Sequence, residues 1–197
     1  MDSVTPNEMK VALRIAKDVS RDFNANSLAE ESGLTAMGAL KILKKLEKQG
    51  ILKSRRLGRA SFYKPDYYNN YAKTFIGFLL QKEAEEAPPR VKRWITEARK
   101  LGEAAEIAIV FGSILKKEGD DVDQLIVLKP ENQGKLDDQL KELNEINVKR
   151  IHPVKQTVAD FTENIRRGDK VVLSAVKNGV VAFGYEKMVG VLEDAAQ

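Results

Sequence analysis

The sequence predicts an α+β protein with two domains. Its 197 residues are 43% hydrophobic and 31% charged, which is the usual composition of compact domains. Apolar residues recur at helical spacing along much of the chain, and short strand-like segments occur in both halves. Residues 1–87 carry 15 Lys or Arg and 11 Asp or Glu, whereas the remainder carries 18 of each. We therefore expect a basic amino-terminal domain and a separate carboxy-terminal domain.

The composition excludes several kinds of chemistry. The chain has no cysteine and one histidine. It therefore cannot form a disulfide, a thiolate metal site or a thiol nucleophile, and it cannot supply a conventional zinc cluster. The first residues lack the features of a signal peptide, and no apolar run is long enough to span a bilayer. We expect a cytoplasmic protein that does not associate with membranes.

The first third of the chain has the pattern of three helices. Apolar residues at three- and four-residue spacing predict an amphipathic helix over 7–18. A pattern typical of a capping box then predicts a short helix over 28–32, with Gly33 as its left-handed end. The residues of that pattern are Asn26, Ser27 and Glu30.

A third helix and a hairpin follow the turn at Gly33 and Leu34. Thr35 is the predicted cap of the third helix, whose inward residues are Met37, Leu40, Leu43 and Leu46 and whose outward residues are Lys41, Lys44, Lys45 and Lys48. Two short strands over 51–56 and 60–64 are joined by a turn at Leu57, Gly58 and Arg59. This order of helices, turn and hairpin, with a basic last helix, is typical of nucleic-acid binding.

The stretch from Ser27 to Lys64 resembles the winged helix-turn-helix transcription regulators of bacteria and archaea. Within it, residues 35–64 carry nine basic residues and one acidic residue, a local balance of +8 that would attract phosphates. The resemblance implies that residues 1–66 form a DNA-binding domain for double-stranded DNA. Its expected contact residues are Thr35, Lys41, Lys44, Lys45, Arg55, Arg56 and Arg59.

The start of the third helix predicts weak base reading. Thr35, Ala36, Met37 and Gly38 offer few of the paired hydrogen bonds that discriminate bases strongly. We expect most of the basic residues to contact phosphates, with Arg59 at the hairpin tip best placed for a minor groove. Because winged helices also bind proteins and RNA, the residues leave those partners open.

A connecting helix and linker are predicted over 67–89. Tyr67, Tyr71, Phe75, Phe78 and Leu79 form an apolar stripe at helical spacing. The stripe predicts either a homodimer contact through the 67–82 helix or packing on the first helix, and the sequence leaves both open.

The second half contains a compact set of candidate catalytic residues. A buried strand over 107–111 runs directly into Gly112 and Ser113, and an apolar strand over 123–128 follows a polar loop. Asp121 and Asp123 stand two residues apart at the start of that strand. Alternate residues of an extended strand point to the same side, so both carboxylates could reach one metal ion.

The segment from about 107 to 128 resembles the active-site motif of the nucleotidyltransferase superfamily that includes polymerase beta. The resemblance implies that residues 90–197 form a nucleotidyltransferase-like α/β domain, with a small mixed sheet flanked by helices. It further implies that Gly112 and Ser113 bind a nucleoside triphosphate, and that Asp121 and Asp123 bind Mg²⁺ as the catalytic carboxylates.

The expected third carboxylate of that family has no counterpart. The predicted third strand over 146–151 contains no acidic residue, and Glu145 and Asp160 are the nearest candidates. His152, at the end of that strand, is expected to be a structural or surface residue. Two functions remain open: a DNA-binding regulator with a nucleotide-binding or degenerate second domain, or an active nucleotidyltransferase that uses the winged helix for targeting.

Overall fold

The computed structural model describes residues 3–116 and 121–196. The chain forms an α+β structure with two compact units, Met1–Leu79 and Leu80–Gln197. Assignment of the segments 1–66, 67–89 and 90–197 to particular kinds of domain stays a prediction. No helix of the described residues is both long and apolar enough to cross a membrane.

The first unit consists of helices followed by a two-stranded hairpin. In chain order its elements are α1 (Pro6–Lys17), α2 (Ala25–Ser32), α3 (Ala36–Lys48), β1 (Leu52–Leu57), β2 (Ala60–Pro65) and α4 (Asn70–Glu85), which extends into the second unit. The strands pair antiparallel, with Leu57 opposite Ala60 at the turn. Between them Gly58 has a φ of 60°, which a residue with a side chain rarely adopts.

The caps of α2 and α3 follow from local hydrogen bonds. Thr35 caps α3 as predicted, since its hydroxyl oxygen accepts from the amide of Gly38 at 3.0 Å. Gly33 ends α2 in the left-handed conformation, which was also predicted. The predicted start of α2 was wrong: its cap is Asn24, whose side chain accepts from the amide of Ser27 at 2.9 Å. Asn26 therefore lies inside the helix.

The core of the first unit corrects one predicted orientation. Ala39, Leu43 and Leu46 of α3 are fully buried and pack with Phe23, Leu28 and other apolar residues. Met37 was expected to face inward, but 64% of its surface is exposed. It lies about 120° around the helix from Leu43, because each residue of an α-helix advances by about 100°. The first turn of α3 thus presents a large apolar side chain to solvent.

The second unit is a four-stranded sheet with helices. Its elements in chain order are α5 (Pro89–Arg99), β3 (Ala105–Phe111), a 3₁₀ turn (Ser113–Leu115), β4 (Asp121–Leu128), a 3₁₀ turn (Pro130–Asn132), α6 (Gln133–Ile146), β5 (Arg150–Gln156), α7 (Val158–Arg167), α8 (Lys170–Asn178), β6 (Val180–Phe183) and α9 (Tyr185–Ala195). The strand order is β5-β4-β3-β6, with β4 and β5 parallel and the other pairs antiparallel. The sheet is therefore mixed.

Both faces of this sheet are covered. Successive residues of a strand point to opposite faces, yet Ile107, Ala108, Ile109 and Val110 of β3 are all fully buried. Residues of α5 and α6 pack in the same core as Ala108 and Val110. Helices α8 and α9 contact β3, and α7 contacts β4 and β5.

The third strand of this unit lies further along the chain than predicted. The spacing of Leu136, Leu140 and Leu143 continues α6 to Ile146, and β5 begins only at Arg150. The side-chain oxygen of Asn144 accepts from the amide of Ile151 at 2.7 Å and fixes the start of the strand. The prediction of a strand over 146–151 was therefore wrong. Pro153 lies within β5, at the outer edge of the sheet, where a missing amide hydrogen is tolerated.

Candidate functional site

The outward face of α3 carries positive charge. Lys41, Lys44 and Lys48 are exposed on the side of α3 away from Leu43. Within the part of the chain that the structure describes, Lys41 and Lys44 pair with no carboxylate. Thr35 is exposed just before the helix, and its hydroxyl oxygen is engaged in the cap. This face can accept a polyanion.

Lys45, which was also predicted to contact DNA, is held by the first unit itself. Its ammonium group donates to a carboxylate oxygen of Glu8 and to the carbonyl of Ser3, both at 2.9 Å. Burial of the Glu8 carboxyl favours its neutral form. Hydrogen bonds from the Thr5 amide and from Lys45 outweigh that effect and lower the pKa of Glu8. Lys45 therefore joins α3 to α1, a role that sequence reasoning missed because the partners lie 37 residues apart.

We expect Glu8→Gln to weaken this attachment at neutral pH. Because the pKa of Glu8 is lowered in the folded state, its charge stabilises the fold at pH values above the pKa in the unfolded chain, which is near 4.5. This stability is lost as the pH falls through the lower pKa of the folded state. The variant should lose about 1–2 kcal/mol of local stability at pH 7, and much less at pH 3. Hydrogen exchange of residues 6–17 and 36–48 measures this difference. Glu30→Gln, at an exposed position, is the control, and an equal loss at both pH values would contradict the assignment.

The hairpin presents further cations. Arg56 and Arg59 are exposed near its turn. The Arg56 guanidinium donates to the carbonyl of Gly58 at 3.3 Å, whereas Arg59 has no ion-pair partner among the described residues. Arg55 donates to the carboxylate of Asp22 at 2.8 Å, although much of its side chain remains exposed. The guanidinium groups of Arg56 and Arg59 are thus less restricted by ion pairing than that of Arg55.

The aromatic stripe of α4 divides between core and surface. Phe75 packs against the core of the first unit, while Tyr71 and Phe78 are 41% and 50% exposed. The ring centroids of Phe75 lie 6.2 Å from Tyr71 and 6.4 Å from Phe78, so the three rings form a continuous ridge. The homodimer through the 67–82 helix stays a prediction.

The second unit brings Gly112 and Asp123 into direct contact. Gly112 follows β3 with a φ of 82° and a ψ of −151°, a conformation restricted to glycine. A Cβ atom at this position would lie 2.0 Å from Oδ2 of Asp123, so the carboxylate occupies the space that a side chain would fill. Ser113 is exposed at the start of the adjoining 3₁₀ turn. The predicted nucleotide residues and one predicted carboxylate therefore share one corner of the sheet.

Arg90 holds the turn after Gly112 in place. Its guanidinium donates to the carbonyls of Ile114 at 3.2 Å and Leu115 at 2.7 Å. Two hydrogen bonds donated by one side chain to backbone carbonyls restrict the turn that carries Ser113. Nothing in the sequence pattern identified this contact, because Arg90 belongs to α5, 24 residues earlier than Ile114.

The other predicted carboxylate faces the single histidine. In the parallel pairing of β4 and β5, Asp123 lies opposite His152. The Nε2 atom of His152 is 3.4 Å from a carboxylate oxygen of Asp121, and both side chains are more than half exposed. The expectation that His152 is a surface residue holds, but it also has a carboxylate neighbour that sequence reasoning did not identify.

The carboxylates near this corner do not form a three-ligand metal site. Among residues 3–116 and 121–196, no group of three histidine, aspartate or glutamate side chains is arranged to hold one ion. Asp160 accepts a hydrogen bond from the Thr157 hydroxyl at 2.7 Å at the start of α7. Glu145 borders a groove of about 420 Å³ between α6 and the residues that directly follow α5. Among the described residues, the candidate metal-binding carboxylates at this end of β3 and β4 are therefore Asp121 and Asp123, with His152 beside Asp121.

Comparison with known proteins assigns this chain to no family. No protein-family model and no curated protein matches this chain. Two solved structures of Lactococcus lactis ZitR, one a glutamate-to-alanine and the other a cysteine-to-serine variant, are similar at 17% identity with TM-scores of 0.34 and 0.31. The matches cover 51% and 52% of this chain and 62% and 78% of the respective ZitR chains. A functional assignment therefore rests on the residues and contacts of this chain.

Proposed function

We propose that the first unit is a winged helix-turn-helix domain that binds double-stranded DNA, and that the protein is a cytoplasmic transcription regulator. One observation carries the proposal: exposed cations lie on both α3 and the hairpin. These are the recognition helix and the wing that such a domain would place against DNA. In this arrangement α3 is the recognition helix and enters the major groove. The hairpin contacts the adjacent backbone or minor groove.

The contacts within the first unit support two different roles for its basic residues, one structural and one in binding DNA. Lys45 and Arg55 pair with Glu8 and Asp22, and these ion pairs attach α3 and the hairpin to neighbouring segments. Lys41, Lys44 and Arg59 have no such partners in the described structure. We therefore assign phosphate contact chiefly to Lys41, Lys44, Arg56 and Arg59. Thr35 retains its hydroxyl hydrogen for donation to DNA while its oxygen caps α3.

A titration of the full chain with duplex DNA at several salt concentrations tests this function. The logarithm of the association constant should fall linearly with the logarithm of salt concentration, with a slope of about −3.6 if four phosphate contacts are made. Fluorescence anisotropy of an end-labelled duplex provides the measurement. Equal affinity for an RNA duplex of the same length would contradict the proposal, because the A-form major groove is too narrow for α3.

We further propose that the corner formed by Gly112, Ser113, Asp121 and Asp123 binds a nucleoside triphosphate with Mg²⁺. The observation that favours it is the contact between the Asp123 carboxylate and Gly112, which brings an anionic metal ligand beside an exposed turn. Mg²⁺ commonly binds one or two carboxylates together with phosphates and water, so two aspartates suit this role. When bound there, the ion would neutralise phosphate charge. Nucleotide transfer, the alternative activity, would further require the third carboxylate that neither Glu145 nor Asp160 supplies in the described structure.

Calorimetry with each nucleoside triphosphate, with and without Mg²⁺, tests this site. We expect Mg²⁺-dependent binding that weakens at least tenfold, about 1.4 kcal/mol, when Asp121→Asn and Asp123→Asn are combined, because the ion then loses both anionic ligands. The control combines Asp138→Asn and Glu142→Gln, which remove two exposed carboxylates of α6. Absence of binding by folded wild-type protein would refute the nucleotide proposal and leave the DNA proposal untouched.

A further inference from the structure

The exposed surface at the first turn of α3 is mainly apolar, and the Thr35 hydroxyl is its one hydrogen-bonding side-chain group. Met37 is 64% exposed, and Ala36 beside it is exposed as well. Gly38 has no side chain, and the Thr35 oxygen is occupied by the cap. Arginine, lysine, asparagine and glutamine, which read guanine and adenine by paired hydrogen bonds, are missing from residues 35–38. The nearest lysine on this face, Lys41, lies a full turn further along.

Met37 is available to a partner because the core of the first unit does not use it. The buried apolar residues of α3, Ala39, Leu43 and Leu46, already form the core without Met37. If α3 is a recognition helix, the side chains of its first turn face base edges. The apolar group that base pairs present in the major groove is the C5-methyl of thymine, which 5-methylcytosine also carries. A thioether chain is flexible and adapts to such a small apolar surface.

We propose that Met37 contacts the C5-methyl group of a pyrimidine in the major groove, and that it gives the DNA-binding face a preference for thymine-containing sequence. The inference rests on the proposed DNA-binding function and adds a specificity-determining residue to it. The cations of α3 and the hairpin supply affinity that is independent of sequence, and Met37 supplies discrimination. The methyl group is removed from water only in the complex with the correct base.

Duplexes that differ by this methyl group alone test the inference. An alternating A·T duplex presents the methyl in every register, and the alternating A·U duplex of equal length lacks it. Wild-type protein should bind the A·T duplex about fourfold more tightly, the effect expected for burial of one group of methyl size. Met37→Ala should reduce this ratio to about one while it keeps the salt dependence of binding. Titrations by fluorescence anisotropy give all the affinities.

Ile146→Ala is the matched control. Ile146 is also a large exposed apolar residue, 70% exposed, but it lies at the end of α6 in the second unit rather than on α3. This variant should keep the fourfold ratio. A wild-type ratio near one, with clear binding of both duplexes, would overturn the inference and leave the DNA-binding function standing. Failure to bind any duplex would instead overturn the proposed function itself.

A second pair of duplexes distinguishes the source of the methyl. Alternating G·C duplexes are compared with and without a C5-methyl on cytosine. A ratio near one in this pair assigns recognition to thymine together with its base-pair context. A ratio near four that Met37→Ala abolishes assigns it to the methyl group on either pyrimidine. Either result, together with the A·T ratio, supports a methyl contact by Met37.

Discussion

Simultaneous replacement of Lys41, Lys44, Arg56 and Arg59 by alanine should weaken binding to a duplex of about two helical turns by 100-fold or more at low salt. Each of these side chains is exposed, and none forms an ion pair with a carboxylate of the described residues. Each one that contacts a phosphate releases about 0.9 counterion, so the slope of log affinity against log salt should fall in magnitude by about 3.6. Anisotropy titrations at four salt concentrations measure both quantities.

The control for this variant removes the same number of positive charges from the second unit. Lys92, Lys129, Arg167 and Lys170 are exposed there and can be changed to alanine together. If net charge alone governed binding, both variants would lose equal affinity. We expect the control variant to retain most of the affinity and nearly all of the salt slope. A loss as large as in the first variant would show that the face made of α3 and the hairpin is not the binding surface.

Gly112→Ala should destabilise the second unit by about 2 kcal/mol, because a residue with a side chain is strained at this backbone conformation. The added Cβ would also lie 2.0 Å from Oδ2 of Asp123 and displace that carboxylate. The single tryptophan, Trp94, is buried in the second unit. Urea unfolding followed by its fluorescence therefore reports on the second unit specifically.

Gly134→Ala provides a control of opposite sign. Gly134 lies in the first turn of α6, its Cβ would meet no atom within 4 Å, and its φ is not positive. Alanine there should stabilise the unit by about 0.5 kcal/mol through reduced freedom of the unfolded chain. If Gly112→Ala unfolded at the same urea concentration as wild type, the tight approach of Gly112 and Asp123 would be refuted.

Local signals in the sequence predicted local structure well. The Thr35 cap, the Gly33 helix end and the hairpin turn each depend on residues within a few positions of one another. Met37 was misplaced because its apolar character favoured the core, while the arc of buried positions on α3 was already filled. Periodicity identified the helix, but it did not identify which of several apolar residues the core had room for.

The candidate site of the second unit depended on long-range pairing that periodicity does not encode. Gly112 and Asp123 are close because β3 and β4 pair antiparallel, with Phe111 opposite Asp123. His152 approaches Asp121 only because β5 pairs parallel with β4 in one particular register. The strand was predicted about four residues too early, so this neighbour could not be identified. The motif itself, two aspartates after a Gly-Ser turn, was recognisable from the residues.

The position of Pro153 has a consequence for the behaviour of the protein in concentrated solution. An outer strand normally exposes a row of amide and carbonyl groups that can pair with a strand of another molecule and begin aggregation. In β5 the amide hydrogen is missing at Pro153, in the middle of the strand, so a strand from another molecule would find one donor fewer there. Association of sheets edge to edge is thereby disfavoured. The same strand that frames the candidate nucleotide corner also helps to keep the molecules apart.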